Sequence, residues 1–182
     1  MPNKIKFGLK NVHIFPITAQ TPDSLTYGEK FRLAGAVELS LKAQGESDNV
    51  HADDYVYYSS FANEGYEGEL EIVLLSDEFR EKILGEIKDN DVLVENQDVV
   101  SKPFALGFEV KGDQEKNRFL YYNCTVSRPS VDHKTKEKKI SPQTDKLQIK
   151  ISAHPKNGDV RAKIPESAAG YNTFFDTVYV RS

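Results

Sequence analysis

The sequence predicts a mainly β fold, an antiparallel β-sandwich or barrel with one short flanking α-helix and a long hairpin extension. Two observations support this fold class. Apolar and polar residues alternate along most of the chain, as they do in strands with one buried face, and short clusters of turn residues separate the alternating segments. The alternation is clearest where Ile5, Phe7, Leu9, Val37, Leu39 and Leu41 are interleaved with polar residues.

Further strands are predicted where β-branched and aromatic residues cluster between turn signals. The segment Lys156-Asn157-Gly158-Asp159 is the best short hairpin signal, because Asn-Gly favours tight turns. Gln44-Gly45, Asn63-Glu64-Gly65 and Lys111-Gly112-Asp113 are the other turn signals. The remaining predicted strands are residues 53–62, 68–75, 104–110, 117–128, 146–153, 160–164 and 173–180.

One segment has helical spacing instead. Ser76 can cap the helix, Phe79 and Ile83 share a face four residues apart, and Gly85 can end it. The acidic Asp77-Glu78 pair complements the positive end of the helix dipole. These residues predict a helix over 77–84, placed against an open edge or end of the sheet.

Charge is unevenly distributed along the chain. Residues 44–81 contain eleven acidic side chains and one basic residue, whereas residues 128–163 contain ten basic and four acidic side chains. Such polarity favours a subunit that stacks on copies of itself or presents an acidic surface, and it disfavours a nucleic-acid reader. Two solvated faces of an ordinary domain would give the same pattern. The basic run 134–139 is predicted to be an exposed hairpin or loop.

Length and composition predict one domain over residues 1–182 with a substantial core. The N-terminal residues lack a continuous apolar stretch, and no window approaches the length of a membrane span, so we expect a soluble protein made in the cytosol. The single cysteine, Cys124, cannot form an internal disulfide and is predicted to be a small core residue.

The chemistry of an enzyme is not visible in the sequence. No phosphate-binding glycine loop, nucleophile elbow or His-Glu-x-x-His pair occurs, and His13, His51, His133 and His154 lie in separate segments. Asp89-Asn90-Asp91 lacks the glycine and the length of a calcium loop. We therefore expect no catalytic residue, no cofactor and no metal site.

Several blocks of residues are distinctive in combination, and they span nearly the whole chain. They are Lys6-Phe7-Gly8-Leu9-Lys10-Asn11-Val12-His13, Asn63-Glu64-Gly65-Tyr66-Glu67-Gly68-Glu69-Leu70-Glu71-Ile72 with Asp77-Glu78-Phe79-Arg80, Pro103-Phe104-Ala105-Leu106-Gly107-Phe108-Glu109, Leu120-Tyr121-Tyr122-Asn123-Cys124-Thr125-Val126-Ser127-Arg128-Pro129, and Pro142-Gln143-Thr144. Together these blocks resemble the major tail proteins of long-tailed phages that infect Gram-positive bacteria. They follow the order of that family, although none is a mechanistic motif by itself.

The resemblance implies a structural tail tube subunit that forms stacked six-membered rings, the conduit for DNA ejection. Its partners would be copies of itself, other tail proteins such as the tape measure and the tail terminator, and genomic DNA that passes without specific binding, but no membrane. It would be assembled in the host cytoplasm and reside in the virion tail. In that family a long hairpin reaches the next ring. The match here is Ala34–Ala62, with a ring-stacking tip at Gln44, Gly45, Glu46, Ser47, Asp48 and Asn49.

The resemblance also implies that four strands per subunit line the lumen, and an acidic lining would keep DNA mobile because it attracts no phosphates. Glu38, Ser40 and Lys42 alternate with apolar residues and are the predicted lumen-facing side chains, with Lys42 an exception in charge. Two other functions stay open. One is a non-enzymatic β-sandwich module that binds a carbohydrate or peptide, favoured by Tyr55, Tyr57 and Tyr58. The other is an enzyme whose site is assembled only by the fold.

Overall fold

A computed structural model describes residues 8–52, 55–130 and 144–181, without the side chains of 47–52 and 55–60. Strands dominate these residues, and one short helix lies between β7 and β8. The strands are β1 (Leu9–Thr21), β2 (Ser24–Tyr27), β3 (Phe31–Arg32), β4 (Ala36–Gln44), β5 (Ser47–Ala52), β6 (Tyr55–Phe61), β7 (Gly65–Ile72), β8 (Ile87–Asp89), β9 (Val92–Val94), β10 (Phe104–Val110), β11 (Arg118–Val126), β12 (Asp145–Ser152) and β13 (Arg161–Ile164).

Nine of the described strands form one sheet in the order β2-β1-β10-β11-β12-β7-β4, with β3 paired to β1 and β13 paired to β11. Every pairing in this sheet is antiparallel. The sheet curves so that β4 approaches β1, and apolar side chains from both ends of the strand order pack into one core. The predicted antiparallel β fold is therefore confirmed.

Strands β12 and β13 lie along the same edge of β11, one after the other. β12 pairs with residues 123–126 of β11, and β13 pairs with residues 118–121. Between them the chain makes an excursion that contains Asn157-Gly158, with Gly158 in the left-handed region at φ +71°. The predicted turn is present, but it lies between β12 and β13, which pair one after the other with β11 and do not form a hairpin with each other.

The helix, α1, spans the predicted residues. It consists of an α-helical turn, Asp77–Phe79, that continues as a π-helical segment, Arg80–Leu84. The Ser76 hydroxyl accepts a hydrogen bond from the Phe79 amide at 3.3 Å, and Gly85 ends the helix in the left-handed region at φ +78°. Phe79 and Ile83 are both fully buried. The helix thus closes the sheet with the apolar face that the sequence predicts.

Two apolar clusters lie on opposite faces of the β1-β10-β11 part of the sheet. The larger cluster lies inside the curve and includes α1, whereas the smaller one contains Phe15, Leu120 and Tyr122. Residues 165–181, here called the strap, cover the smaller cluster with Phe174 and Phe175. Because both faces of β10 are covered, nearly all its side chains are buried, including the Glu109 carboxylate.

The predicted strand at residues 173–180 is wrong, because the strap folds as successive turns. The backbone hydrogen bonds from Phe174 to Tyr171 and from Asp176 to Thr173 are local. Phe174 and Phe175 are adjacent, and both are buried against the sheet, which an alternating strand could not achieve. Tertiary packing of these aromatic rings therefore overrides their strand propensity.

Candidate assembly surfaces

The outward side chains of β4, β7 and β12 form a polar face, ordered by the register of the three strands. Ten residues make up this face: Glu38, Ser40, Lys42, Gln44, Glu67, Glu69, Glu71, Lys146, Gln148 and Lys150. The register aligns nine of them in three rows across the sheet, and apolar side chains at the intervening positions face the core. The rows are Lys42–Glu67–Lys150, Ser40–Glu69–Gln148 and Glu38–Glu71–Lys146.

Ion pairs and hydrogen bonds connect these rows. The Lys146 ammonium lies 2.9 Å from a Glu69 carboxylate oxygen and 3.9 Å from one of Glu71, and the Gln148 amide donates to Glu69 at 3.2 Å. The hydrogen bond to Glu69 and the charges of Glu69 and Glu71 raise the pKa of Lys146. Because these groups are solvent-exposed, the pairs contribute little to stability and instead define a charge pattern.

The predicted lumen-facing residues Glu38, Ser40 and Lys42 are all exposed on this polar face. Four carboxylates and three ammonium groups share it, which leaves a net charge of −1 per subunit. The face is therefore only weakly acidic, less so than an acidic lining would require. Lys42 is no isolated exception in charge, because it lies opposite Glu67 in the first row.

The outer edge of β4 is unpaired within the part of the chain that the structure describes, because β4 pairs with β7 alone. The Gln44 carbonyl accepts from the Glu64 amide at 3.0 Å on the paired side. Successive residues of a strand direct their backbone groups to alternate sides, so the amide of Ala43 points to the free edge. Proline and strand bulges, which blunt natural sheet edges, are missing from residues 38–44.

An apolar cavity lies beside this edge, in the gap between β4 and the start of β1. We call this gap the seam. The cavity has a volume of about 350 Å³, and Val37 at its border is 43% exposed. An unpaired strand edge next to exposed apolar side chains is a template for pairing with another strand. Its lining residues are Gly8, Leu9, Val37, Glu38, Leu39, Leu41, Phe108, Val110 and Tyr121.

The long hairpin continues beyond the sheet as a two-stranded ribbon, β5–β6, and its tip differs from the prediction. The ribbon pairs from Ser47–Phe61 to Ala52–Tyr55, so its far end is at Ala52 and Tyr55, and residues 53–54 between its two strands lie outside the described residues. The ribbon projects roughly 25 Å from the end of β4, at about 3.3 Å per residue.

The predicted tip is wrong in position. Gln44 ends β4, Gly45 and Glu46 join the two strands, and Ser47, Asp48 and Asn49 begin β5. Gly45 has a φ of +153°, and a Cβ atom there would lie 1.8 Å from the Ala62 carbonyl oxygen. The glycine therefore serves the close approach of two strands, although its neighbours in the sequence resemble those of a turn residue.

The side chains of His13, His154 and Cys124 are packed against neighbouring residues. No cluster of three or more His, Cys, Asp or Glu residues that could hold a metal occurs in the described part of the chain. His13 packs on Phe175, with ring centroids 5.1 Å apart, and the Nδ1 atom of His154 accepts from the Lys156 amide at 3.1 Å. Burial lowers the pKa of both histidines and raises that of the Cys124 thiol.

Some sequence predictions fall on parts of the chain that the structure does not describe. The basic run 134–139 and His133 lie outside the described residues, as do the side chains of His51, Tyr55, Tyr57 and Tyr58. Asp89, Asn90 and Asp91 end β8 and lead into β9, and the positive φ angles of Asn90 and Asp91 match a tight hairpin turn. Among the described residues, no helix is long and apolar enough to cross a membrane.

Two surfaces were not predicted from the sequence: the apolar seam and the β8–β9 hairpin. Ile87, Val92 and Val94 of that hairpin are exposed. Their short alternation around Asn90-Asp91 was a hairpin signal that could have been found. No protein-family model matches the chain, and no curated protein matches it. The candidate surfaces therefore rest on geometry and on the sequence resemblance.

Proposed function

We propose that this chain is a non-enzymatic structural subunit that assembles with copies of itself into stacked rings, forming the tube of a phage tail through which DNA passes. The observation that carries the proposal is the unpaired edge of β4. This nine-residue strand has an apolar seam on one side and a ribbon at its end. Such an edge is completed by a strand from another molecule.

The polar face suits the inner wall of such a tube. Strands β4, β7 and β12 carry the polar face, and residues 123–126 of β11 continue the sheet beside β12, next to the part of β11 that the strap covers. Each subunit can therefore supply four strands to a common wall, the fourth over part of its length. Six copies would close a barrel of about 24 strands, with a backbone diameter near 48 Å at a spacing of about 4.8 Å and a tilt of roughly 40°. Side chains would leave roughly 35–40 Å, and duplex DNA is about 20 Å wide.

The charge pattern of the polar face also fits passage without binding. Its lysines lie beside carboxylates, as the Lys146–Glu69 distance of 2.9 Å illustrates. Paired lysines are poorly placed to neutralise phosphates, and neutralised phosphates are the main source of affinity for DNA. A nearly neutral lining of alternating charge would let DNA slide. The reason would be the balance of lysines and carboxylates more than a repulsion of the phosphates.

The alternative of a carbohydrate- or peptide-binding module predicts a monomer whose seam holds a ligand. Assembly separates the two functions. Ala43→Pro removes one outward amide from the free edge while the β4–β7 pairing stays intact, because a proline is tolerated where the amide faces away from the sheet. We expect a folded protein that forms neither rings nor tubes in electron micrographs.

Ala43→Ser is the matched control, because it alters the same side chain and keeps the amide. It should assemble like the unmodified protein. Circular dichroism and thermal unfolding would verify that both variants are folded. Normal tubes from Ala43→Pro would contradict a role of the β4 edge in assembly.

A further inference from the structure

Two exposed apolar features lie near opposite ends of β7: Phe61 at the base of the ribbon, and the β8–β9 hairpin beyond α1. Phe61, at the end of β6, is 81% exposed and is linked to the start of β7 by residues 62–64. The β8–β9 hairpin follows α1, which begins five residues after the end of β7. The eight residues of β7 span about 25 Å, which separates the two features along the strand direction.

The β8–β9 hairpin presents three aliphatic side chains on one face. Ile87 lies opposite Val94 and Asp89 lies opposite Val92, so these four side chains point the same way. Ile87, Val92 and Val94 are 53%, 59% and 45% exposed. A two-stranded hairpin is marginally stable unless one face is packed, and only Leu93 on the other face is half-buried.

The hairpin is nevertheless held in place at its base, so it forms a fixed surface. The Glu86 amide donates to the Arg80 carbonyl at 3.0 Å and thereby ties the start of β8 to α1. After β9, Arg128 forms an ion pair with Glu95 at 3.1 Å and donates to the carbonyl of Val99 at 3.2 Å. An anchored apolar surface at the protein exterior is typical of an interaction site.

We propose that the apolar face of the β8–β9 hairpin receives Phe61 from a second copy of this chain. Because the two features lie at opposite ends of β7, the contact is head-to-tail and can continue from copy to copy without closing. This inference rests on the proposed function and adds the surface that receives the base of the ribbon, where Phe61 lies, from a copy in the neighbouring ring.

The size of the contact supports a repeated assembly partner over a stable dimer. A phenylalanine side chain buries roughly 150–250 Å². This area and the matching area on the hairpin stay well below the roughly 1,200–2,000 Å² that specific, stable complexes bury. A single contact therefore does not hold two subunits in dilute solution, but it contributes when every subunit of a stacked array repeats it.

Charge gives the contact a distinctive salt dependence. Residues 43–64 contain five acidic and no basic side chains, and residues 87–98 contain four acidic side chains and one lysine. The two surfaces repel each other at low ionic strength, so added salt should strengthen stacking. A contact driven by opposite charges would instead weaken with salt.

Cysteine cross-linking tests the contact directly, because the single native cysteine, Cys124, is fully buried. Phe61→Cys and Val92→Cys would be introduced singly and together, and assemblies seen by electron microscopy would be treated with a short bismaleimide cross-linker. We expect a ladder of dimers, trimers and longer products from the double variant only. A mixture of the two single variants should stop at dimers, and neither single variant should cross-link alone.

The control double variant, Phe61→Cys with Tyr179→Cys, uses an exposed residue of the strap and should give no ladder. Phe61→Ser should raise the concentration needed for assembly about tenfold, as expected for loss of an aromatic contact of ~1.4 kcal/mol, and Tyr179→Ser should leave it unchanged.

Three results would overturn the inference. Assemblies without a ladder from the Phe61–Val92 pair would refute the contact and leave the proposed function intact. Dimers from Val92→Cys alone would show a symmetric hairpin contact in place of the head-to-tail one. An unmodified protein that stays monomeric at every concentration and salt level would overturn both the inference and the proposed function.

Discussion

Replacing Phe79 with alanine should destabilise the fold strongly, because this side chain connects α1 to the sheet. Phe79 is fully buried, and its ring meets Phe31 and Phe104 edge to face at centroid distances of 6.5 and 6.0 Å. Truncation of a buried phenylalanine costs about 3–5 kcal/mol through lost burial and the remaining cavity. The two aromatic contacts would each contribute about 0.5–1.5 kcal/mol of that loss, which favours the upper half of the range.

Chemical denaturation followed by circular dichroism would measure this loss. Glu81→Ala on the exposed side of α1 is the matched control and should change the free energy of unfolding by less than about 0.5 kcal/mol. The slope of the transition should be unchanged for both variants, since the same surface is exposed on unfolding. A loss below about 1 kcal/mol for Phe79→Ala would refute the conclusion that α1 anchors the core.

Three further predictions concern charged and titrating groups. If the polar face lines the lumen, Glu38→Lys changes the charge of the lumen by about +12 per six-membered ring. Tails should then assemble but release DNA slowly at low salt and faster at high salt, and unchanged release at low salt would show that Glu38 does not line the lumen. The Glu109 carboxylate accepts hydrogen bonds from Arg118 and Asn11, both at 3.0 Å, and these bonds together with Lys10 lower the pKa of the carboxyl although burial raises it. Glu109→Gln should therefore lower the free energy of unfolding by about 3 kcal/mol, and a loss below about 1 kcal/mol would show that Arg118 is held by other contacts. Burial, together with Lys30 and Arg32, lowers the pKa of His13 in the fold, so the free energy of unfolding should fall as the pH drops through the ordinary histidine pKa of 6.5. His13→Gln should flatten this dependence between about pH 7.5 and 5.5, and a variant with an unchanged pH profile would contradict the role of His13.

The strands and the helix could be predicted because their signals are local. Alternation places Leu39 and Leu41 on one side of β4, and the cap at Ser76 together with Gly85 fixes both ends of α1. These features depend on residues within a few positions of one another, so the sequence alone contains them.

The errors arise where distant contacts decide the backbone. Gly45 resembles a turn residue, but the approach of Ala62 across the ribbon determines its conformation. The strap does not form the predicted strand, because Phe174 and Phe175 both pack on a face of the sheet that only the folded chain creates. The apolar seam has the same origin, since it brings Leu9 of β1 beside Val37 of β4. The periodicity of one segment contains no information about such contacts between distant segments.

The measurement that tests the central claim most directly is electron microscopy of the purified, unmodified protein over a range of concentrations and salt. The account predicts hollow rings or tubes, because the β4 edge, the seam and the ribbon are all completed by neighbouring copies. Image averaging would give the number of subunits per ring and the inner diameter, expected at roughly 35–40 Å for six copies. Particles that remain uniform monomers under every condition, with a seam that binds a ligand instead, would contradict the claim.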